Sequence, residues 1–552
     1  MSLKHYGIYL AYPPTVDLRA EGLGRHLAMF LKGAANLSGV RFTIICPSWT
    51  VETLESLFVS EQVPKEVFTV VAPRGKPYSL AIFEAIRSYR TSIKNKTGYL
   101  SCIVKMTARI GERVWRRAAA RAVAAHHVGA AIISIVEILV LIPFLLLAFP
   151  LALLVYIWRV ARLAVKYWPS SYFSHLQSIA AKANALLVKP YDANWVLRLF
   201  DAMHAGEMRR MQKEIETLAD VRAWYCPTAF WPDFHEIKAP RLTCVPDVVL
   251  SDFPVGFSGV GGDRFLKTFE AIGRSIRGGD YFVTYSESVK WQTLVDRYAV
   301  RAKKITVIPH APNMLDEHVK ITGFPDVDAT SVHYCQMLLR GALQRSTNPD
   351  YTATFSNGDV KFLFYASQLR PNKNVLTLLR AFEYLLRRRY VGHKLVLTGN
   401  PALMPDIQRF IVDHRLERDV IFLHGLSVAE LAACYKLADL AVNPTLSEGG
   451  CPFTFTEALS VGTPVVMSRI AVTEEVLTDQ DLQFVTFFDP FNWRDCAERI
   501  EWAINHRNDL LEIQRKTYSE LVKRSWTDVV SEYVAVLDDI SINWQSKELI
   551  KN

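Results

Sequence analysis

Asn443-Pro-Thr-Leu-Ser-Glu448-Gly449-Gly450-Cys-Pro-Phe-Thr-Phe-Thr-Glu457-Ala-Leu-Ser-Val-Gly462-Thr-Pro-Val-Val-Met-Ser468 is the stretch on which the reading of this chain turns. It leaves an apolar run (Leu440–Asn443), crosses a Gly-rich turn and opens a helical pattern, after which a second apolar run (Pro464–Met467) begins. Such a turn presents bare N–H groups and the positive end of a helix, which suits a phosphate. Gly449 and Gly450 let a ligand approach the backbone closely. Glu448, before the turn, can accept hydrogen bonds from sugar hydroxyls, and Glu457, on the helix, can clamp the two hydroxyls of a ribose. A Gly-rich turn alone decides nothing, since any α/β loop can hold one.

Outward from this stretch the same alternation continues. Tyr6–Ala11, Phe42–Cys46, Val67–Val71, Ala223–Cys226, Leu242–Val245, Tyr281–Thr284 and Ile305–Ile308 read as strands in the first half. Lys361–Ala366, Lys394–Thr398, Val420–Leu423, Leu440–Asn443 and Pro464–Met467 read as strands in the second, with helical periodicity between them. Continuous rather than alternating apolar strands imply parallel sheets covered by helices on both faces. At 552 residues, half of them hydrophobic, two such doubly wound domains are expected. They are assigned to residues 1–325 and 326–524, followed by a closing helix and tail at 525–552. The polar stretch Lys320–Asn357 holds the expected linker. Asp326-Val-Asp328 within it lacks a preceding strand and reads as incidental rather than as a cation site.

The first series is interrupted over 87–205. Residues 87–127 hold ten Lys/Arg against the single acid Glu112, so this stretch carries as much charge as the net +9 of the whole chain. A nucleic-acid binder spreads or repeats its basic surface, so no nucleic-acid partner is expected. Val128–Ile157 follows, thirty residues with Glu137 as the only charge, broken by Pro143 and Pro150. One helix of that length would reach ~45 Å, more than the ~30 Å of hydrocarbon requires. Strands on both sides belong to one sheet, so both flanks lie on one side of a membrane. A broken hairpin that enters and leaves by the same face satisfies this, and Arg159, Arg162 and Lys166 make the second flank basic like the first. The expectation is a monotopic anchor on the cytoplasmic face, with 87–127 adding attraction to anionic lipid. The eight scattered cysteines form no C-x-x-C pair and read as reduced core residues, and the N-terminus lacks a signal-peptide layout.

Four further segments bear on chemistry. Lys361-Phe-Leu-Phe-Tyr-Ala-Ser-Gln-Leu-Arg370-Pro-Asn-Lys373-Asn374 ends a strand with two cations able to face a diphosphate. Glu21-Gly22-Leu23-Gly24-Arg25-His26 separates the first strand from an amphipathic helix, Cys244-Val-Pro246-Asp247 ends another strand, and Val307-Ile-Pro-His310 a third. No His/Cys cluster has metal-ligand spacing.

Together these segments resemble the retaining glycosyltransferases of GT-B fold, family four. Glu457-Ala-Leu-Ser-Val-Gly462-Thr-Pro-Val-Val466 is similar to that family's E-A-[LM]-x-x-G-T-P-V-V. The preceding carboxylate departs from E-x7-E, because eight residues separate Glu448 from Glu457: either the turn bulges by one residue or Glu448 is displaced. Lys373 occupies the lysine position of the family's G-R-L-x-x-x-K-G loop. Gln368 stands at its arginine and Arg370 two residues later, as in branches containing mannosyltransferases. Gly22–Gly24 resembles the Gly-Gly loop that approaches the donor diphosphate, Pro246 replaces a histidine beside Asp247, and His310 stands in a V-I-P-N strand end. Ser525-Trp526-Thr527 opens a helix like the one that returns to the N-terminal domain in this fold. The resemblance covers Lys4–Val71 and Arg222–Leu537.

It implies a hexosyltransferase, mannosyltransferase-like in its Arg370 loop, using a nucleoside diphosphate sugar and no cofactor or metal. Arg370, Lys373, Glu448 and Asp247 would be catalytic; Gly22, Gly24, His310, Gly449, Gly450 and Glu457 would bind the donor. With the hairpin, it implies a lipid-linked saccharide acceptor at the cytoplasmic leaflet, as in assembly of polysaccharide or glycolipid at a bacterial inner membrane. The rival expectation is a catalytically degenerate GT-B scaffold subunit, suggested by Gln368, Pro246 and the altered carboxylate spacing.

Overall fold

Strands buried on both faces cannot sit at a wetted sheet, and this chain builds two sheets from them. In the computed structural model, Phe362–Tyr365, Val420–Leu423, Leu440–Asn443 and Val465–Ser468 are buried at every residue. The structure describes residues 4–84 and 194–551, apart from 15, 21, 262, 347, 353–354 and 356–359, together with 128–129 and 132. The basic stretch 87–127 and the hairpin 128–157 therefore lie outside the described residues, save those three positions. Among the described residues, no helix is long and apolar enough to cross a membrane.

The first sheet has seven parallel strands: β1 (Lys4–Tyr9), β2 (Val40–Ile45), β3 (Phe68–Val71), β4 (Trp224–Cys226), β5 (Arg241–Cys244), β6 (Tyr281–Thr284) and β7 (Ile305–Val307), in the order β3-β2-β1-β4-β5-β6-β7. The second has six: β8 (Phe362–Tyr365), β9 (Lys394–Thr398), β10 (Val420–Leu423), β11 (Leu440–Asn443), β12 (Val465–Ser468) and β13 (Phe487–Phe488), in the order β10-β9-β8-β11-β12-β13. Every pairing is parallel. All twelve expected strands are present, with ends shifted by no more than two residues. The thirteenth, two residues long, is too short to show as an apolar run.

Strand order reverses between β1 and β4 and again between β8 and β11, and in open parallel sheets ligands bind outside the carboxyl ends of strands at such points. The Gly22 segment follows β1, the Arg370 segment β8 and the Glu448 segment β11, with Asp247 after β5 and His310 after β7. Among the described residues, a large core cluster and two smaller ones fill the N-terminal domain, and two more lie against the second sheet. The chain leaves the first core at Ala311 and enters the second at Leu315, ahead of the expected boundary at 325/326.

Two expectations are corrected. The polar linker holds a helix, Val327–Leu343, whose Cys335, Leu339, Ala342 and Leu343 pack into the second core. Their spacing is helical, but the polar residues between them hide it. Asp326 caps this helix by accepting from the Ala329 amide at 2.8 Å, which is the work of the D-x-D triplet's first carboxylate. The insertion also ends sooner than 205, because helix Asn194–Glu216 belongs to the domain. Its Met203 and Glu207 are wholly buried, and Glu207 accepts from the Ser48 amide and Arg210 Nη1, both at 2.7 Å.

The closing helix, Trp526–Lys551, does return to the N-terminal domain. Trp526, Val529, Val530, Tyr533, Val534, Leu537 and Ile540 join its core. Asp538 accepts from Lys4 Nζ and Tyr6 Oη, both at 2.5 Å.

Candidate active site

The loops after β8 and β11 are laced together. Leu446 N donates to the Asn372 carbonyl at 2.8 Å and Thr445 Oγ1 donates to it at 3.3 Å. This holds the turn Pro371–Lys373 beside the Glu448 loop, so that Lys373 Nζ meets Glu448 Oε1 at 2.6 Å with each side chain 20% exposed. Burial alone would lower the Lys373 pKa, yet Glu448, then Tyr365 and Asp247, carry it above the ordinary value. Arg370 is exposed and its Nη2 donates to Gln368 Oε1 at 2.6 Å. The residue at the family's arginine position thus supports the arginine two places on.

Asp247 faces this group from the other domain. Burial pushes its half-buried carboxyl up to about 6; Glu448 adds to the rise, and Lys373 and Arg370 oppose it. Asp247, Glu448, Lys373 and Arg370 consequently form one electrostatic unit across the cleft, two carboxylates and two cations.

The Gly449–Gly450 turn is one of the places where the domains touch. A Cβ on Gly449 would lie 2.2 Å from the Pro246 carbonyl oxygen, and one on Gly450 would lie 2.9 Å from Tyr285 Cβ and 3.0 Å from His310 Nε2. Only glycine permits this approach. Ser286 Oγ donates to the Gly449 carbonyl at 3.0 Å. Pro246, in the place of the family histidine, is thus a packing surface for the turn. The ring of His310 stands between Tyr285 and Phe453, with centroids 5.4 and 4.5 Å away, and burial lowers its pKa while the Ala311 and Cys451 carbonyls partly offset the fall. His26 lies beneath, with Nε2 3.0 Å from Tyr285 Oη; burial first, then His310, lowers its pKa to about 3, so this imidazole is neutral.

Glu457 is 4% exposed on helix Phe453–Ser460. Its Oε1 accepts from Asn313 Nδ2 at 2.6 Å and lies 3.9 Å from Arg25 Nη1. The crossover segment is stitched to the same helix, Asn313 N donating to Thr456 Oγ1 at 3.3 Å and Leu315 N to Ser460 Oγ at 3.0 Å. Gly22 and Gly24 lie in the first turn of helix Gly22–Ala35; Gly24 packs on the Leu18 carbonyl, whereas Gly22 has open space where a Cβ would stand. Sequence reasoning missed Arg25, Tyr285, Ser286 and Asn313. Arg25 was visible, one residue past Gly24, but the other three stand in no motif.

Residues 350–520 match the family described as Glycosyl transferases group 1. The C-terminal domain thus resembles the group 1 glycosyltransferases. The chain as a whole has the GT-B fold, two facing Rossmann-like domains tied by the closing helix. This chain is 35% identical to the O-antigen chain mannosyltransferase of Salmonella typhimurium over 108 residues, 19% of this chain and 30% of that protein. It is 30% identical to a GDP-mannose-dependent alpha-(1-6)-phosphatidylinositol monomannoside mannosyltransferase of Mycolicibacterium smegmatis over 128 residues, 22% of this chain and 33% of that one. The matched segment thus spans about a third of these relatives. A mutant of S. aureus TarM, solved with fondaparinux, alpha-GlcNAc-glycerol and UDP, superposes with a TM-score of 0.52 over 97% of this chain and 99% of its own, at 11% identity.

Proposed function

We propose that this protein transfers a hexose, with retention, from a nucleoside diphosphate sugar to a lipid-linked saccharide at the cytoplasmic face of a bacterial inner membrane. The observation that carries the reading is the cluster of Asp247, Glu448, Lys373 and Arg370 at the facing carboxyl ends of the two sheets. A diphosphate entering there meets two cations and the N-terminus of helix Phe453–Ser460. The acceptor hydroxyl forms the new bond to the anomeric carbon as the bond to the diphosphate breaks, and its proton passes to the departing diphosphate oxygen. Lys373 and Arg370 neutralise the charge that grows on the leaving group, and ionised Asp247 orients the hydroxyl. Glu457 would hold the donor's ribose, exchanging its bond to Asn313 for the hydroxyls. No metal is needed for a leaving group met by fixed cations.

The acceptor is inferred from the apolar stretch 128–157, the basic stretch 87–127 and the relatives named for O-antigen and phosphatidylinositol mannoside. The test is transfer of radiolabel from a panel of nucleotide sugars, GDP-mannose first, into detergent-extracted lipid. Absence of transfer together with absence of nucleotide binding in calorimetry would refute the reading. Deleting Val128–Ile157 should release the protein from membranes with nucleotide binding intact; a wild type already in the soluble fraction would rule out the anchor.

A further inference from the structure

The helix after β6 opens at Glu287 and runs on as a nine-residue π-helix, Val289–Arg297, in the N-terminal domain, with Ser286 as its capping residue. One capping hydroxyl serves a single N–H, and the other N–H groups of the first turn must find partners elsewhere. Here two of them find one in the other domain. Glu475, half-buried on helix Ala471–Val476 after β12, accepts from Glu287 N at 2.7 Å through Oε1 and from Ser288 N at 2.9 Å through Oε2. The next amide, Val289 N, donates to Ser286 Oγ at 3.2 Å, and that hydroxyl donates in turn to the Gly449 carbonyl. Glu287's own carboxylate is turned away, accepting from Trp291 Nε1 at 2.9 Å and facing Lys290 Nζ at 3.2 Å. Three successive amides of one helix end are therefore satisfied through a carboxylate of the opposite domain and a hydroxyl tied to its Gly-rich turn.

We propose that Glu475 is a positioning residue, an interdomain clasp that caps the π-helix and holds the Gly449 turn closed over Pro246. Opening the cleft strips Glu287 N and Ser288 N of their charged acceptor, and the Ser286 hydroxyl is already taken by Val289 N. The closed arrangement is favoured by whatever those two charge-assisted bonds gain over water. A donor that binds only the closed arrangement then has its apparent affinity set by the closed fraction. Glu475 touches no substrate in this scheme. The last consequence rests on the glycosyl-transfer reading; the clasp itself does not.

The test has one arm independent of activity. Spin labels at Val59→Cys and Val412→Cys, exposed positions one on each domain, report the interdomain distance in the full chain. Wild type should give one distribution, Glu475→Ala a second, longer one, and Glu475→Gln, which keeps one acceptor oxygen, an intermediate mixture. Ser288→Pro removes one of the two clasped N–H groups at a φ of −56° that proline adopts, so it should resemble Glu475→Gln, and adding it to Glu475→Ala should change nothing. In the transfer assay Glu475→Ala should raise the donor KM about 10–100-fold, with kcat within about threefold of wild type. Unchanged distances in Glu475→Ala and Glu475→Gln, or full additivity with Ser288→Pro, would overturn the clasp. A wild type without transfer would overturn the enzyme reading while leaving the distances to decide the clasp.

Discussion

Asp247 should impose an acid limb on kcat/KM, and its two charged neighbours should move that limb in opposite directions. The carboxyl stands at about 6 against 3.8 for an ordinary aspartate. That difference corresponds to about 3 kcal/mol against the ionised form, at ~1.4 kcal/mol per pKa unit. Burial comes first among the causes and Glu448 second, so Glu448→Gln should lower the limb by only part of the shift, about half a unit to one unit. Lys373 opposes the rise, so Lys373→Met should move the limb upward by a comparable ~0.5–1 unit. The double variant should return close to about 6. Asp247→Asn should remove the limb together with most of the rate. The assay is kcat/KM between about pH 5 and about pH 8, which reports groups of the free enzyme. Folding supplies an independent readout. The native carboxyl keeps its proton to higher pH than the unfolded one, so stability should fall as pH rises from 3.8 to about 6, and Asp247→Asn should flatten that slope. Limbs that stay fixed in both single variants, or move the same way, would refute the four-residue unit.

Gly449→Ala puts a methyl 2.2 Å from a backbone oxygen that cannot swing aside; overpacking of this kind costs ~1–3 kcal/mol, so kcat/KM should drop about 5–150-fold, and a wild-type rate would show that the turn moves freely. Glu457→Gln should weaken binding of the nucleoside diphosphate about 10–100-fold in calorimetry, and Asn313→Ala less. Unaltered affinity in Glu457→Gln would take that carboxylate out of the donor site. Trp526→Ala, at a position 8% exposed against His26, should cost about 3–5 kcal/mol in urea unfolding. An unchanged midpoint would mean that the closing helix is not part of the N-terminal core.

The chain's order of apolar runs determined most of the fold. A run such as Leu440–Asn443, apolar on both faces, can be satisfied only inside a parallel sheet, so twelve strands and two doubly wound domains follow from composition at short range. The Gly-Thr-Pro-Val-Val run was legible for the same reason: Gly462 takes a φ of +85°, the Thr463 hydroxyl donates to the Tyr435 carbonyl at 2.6 Å, and both valines are buried in β12. The helix at Val327–Leu343 was not legible, because its apolar stripe is thin and only the second core reveals which face is inside.

The Glu448-to-Glu457 segment was recognisable as a ligand turn, but its partners were not. Lys373 lies 75 residues before Glu448, Asn313 lies 144 before Glu457, and Glu287 and Ser288 lie 188 and 187 from Glu475. A side chain's pKa, its ion-pair partner and the cap of a foreign helix depend on distances in space, and local sequence carries no record of those. The sequence by itself therefore determined which loops stand at the carboxyl ends of the strands, through propensity and burial over a few residues. Only the tertiary structure decided that Asp247 joins the charge cluster, that Pro246 is the surface on which Gly449 rests, and that a glutamate of one domain closes the helix of the other.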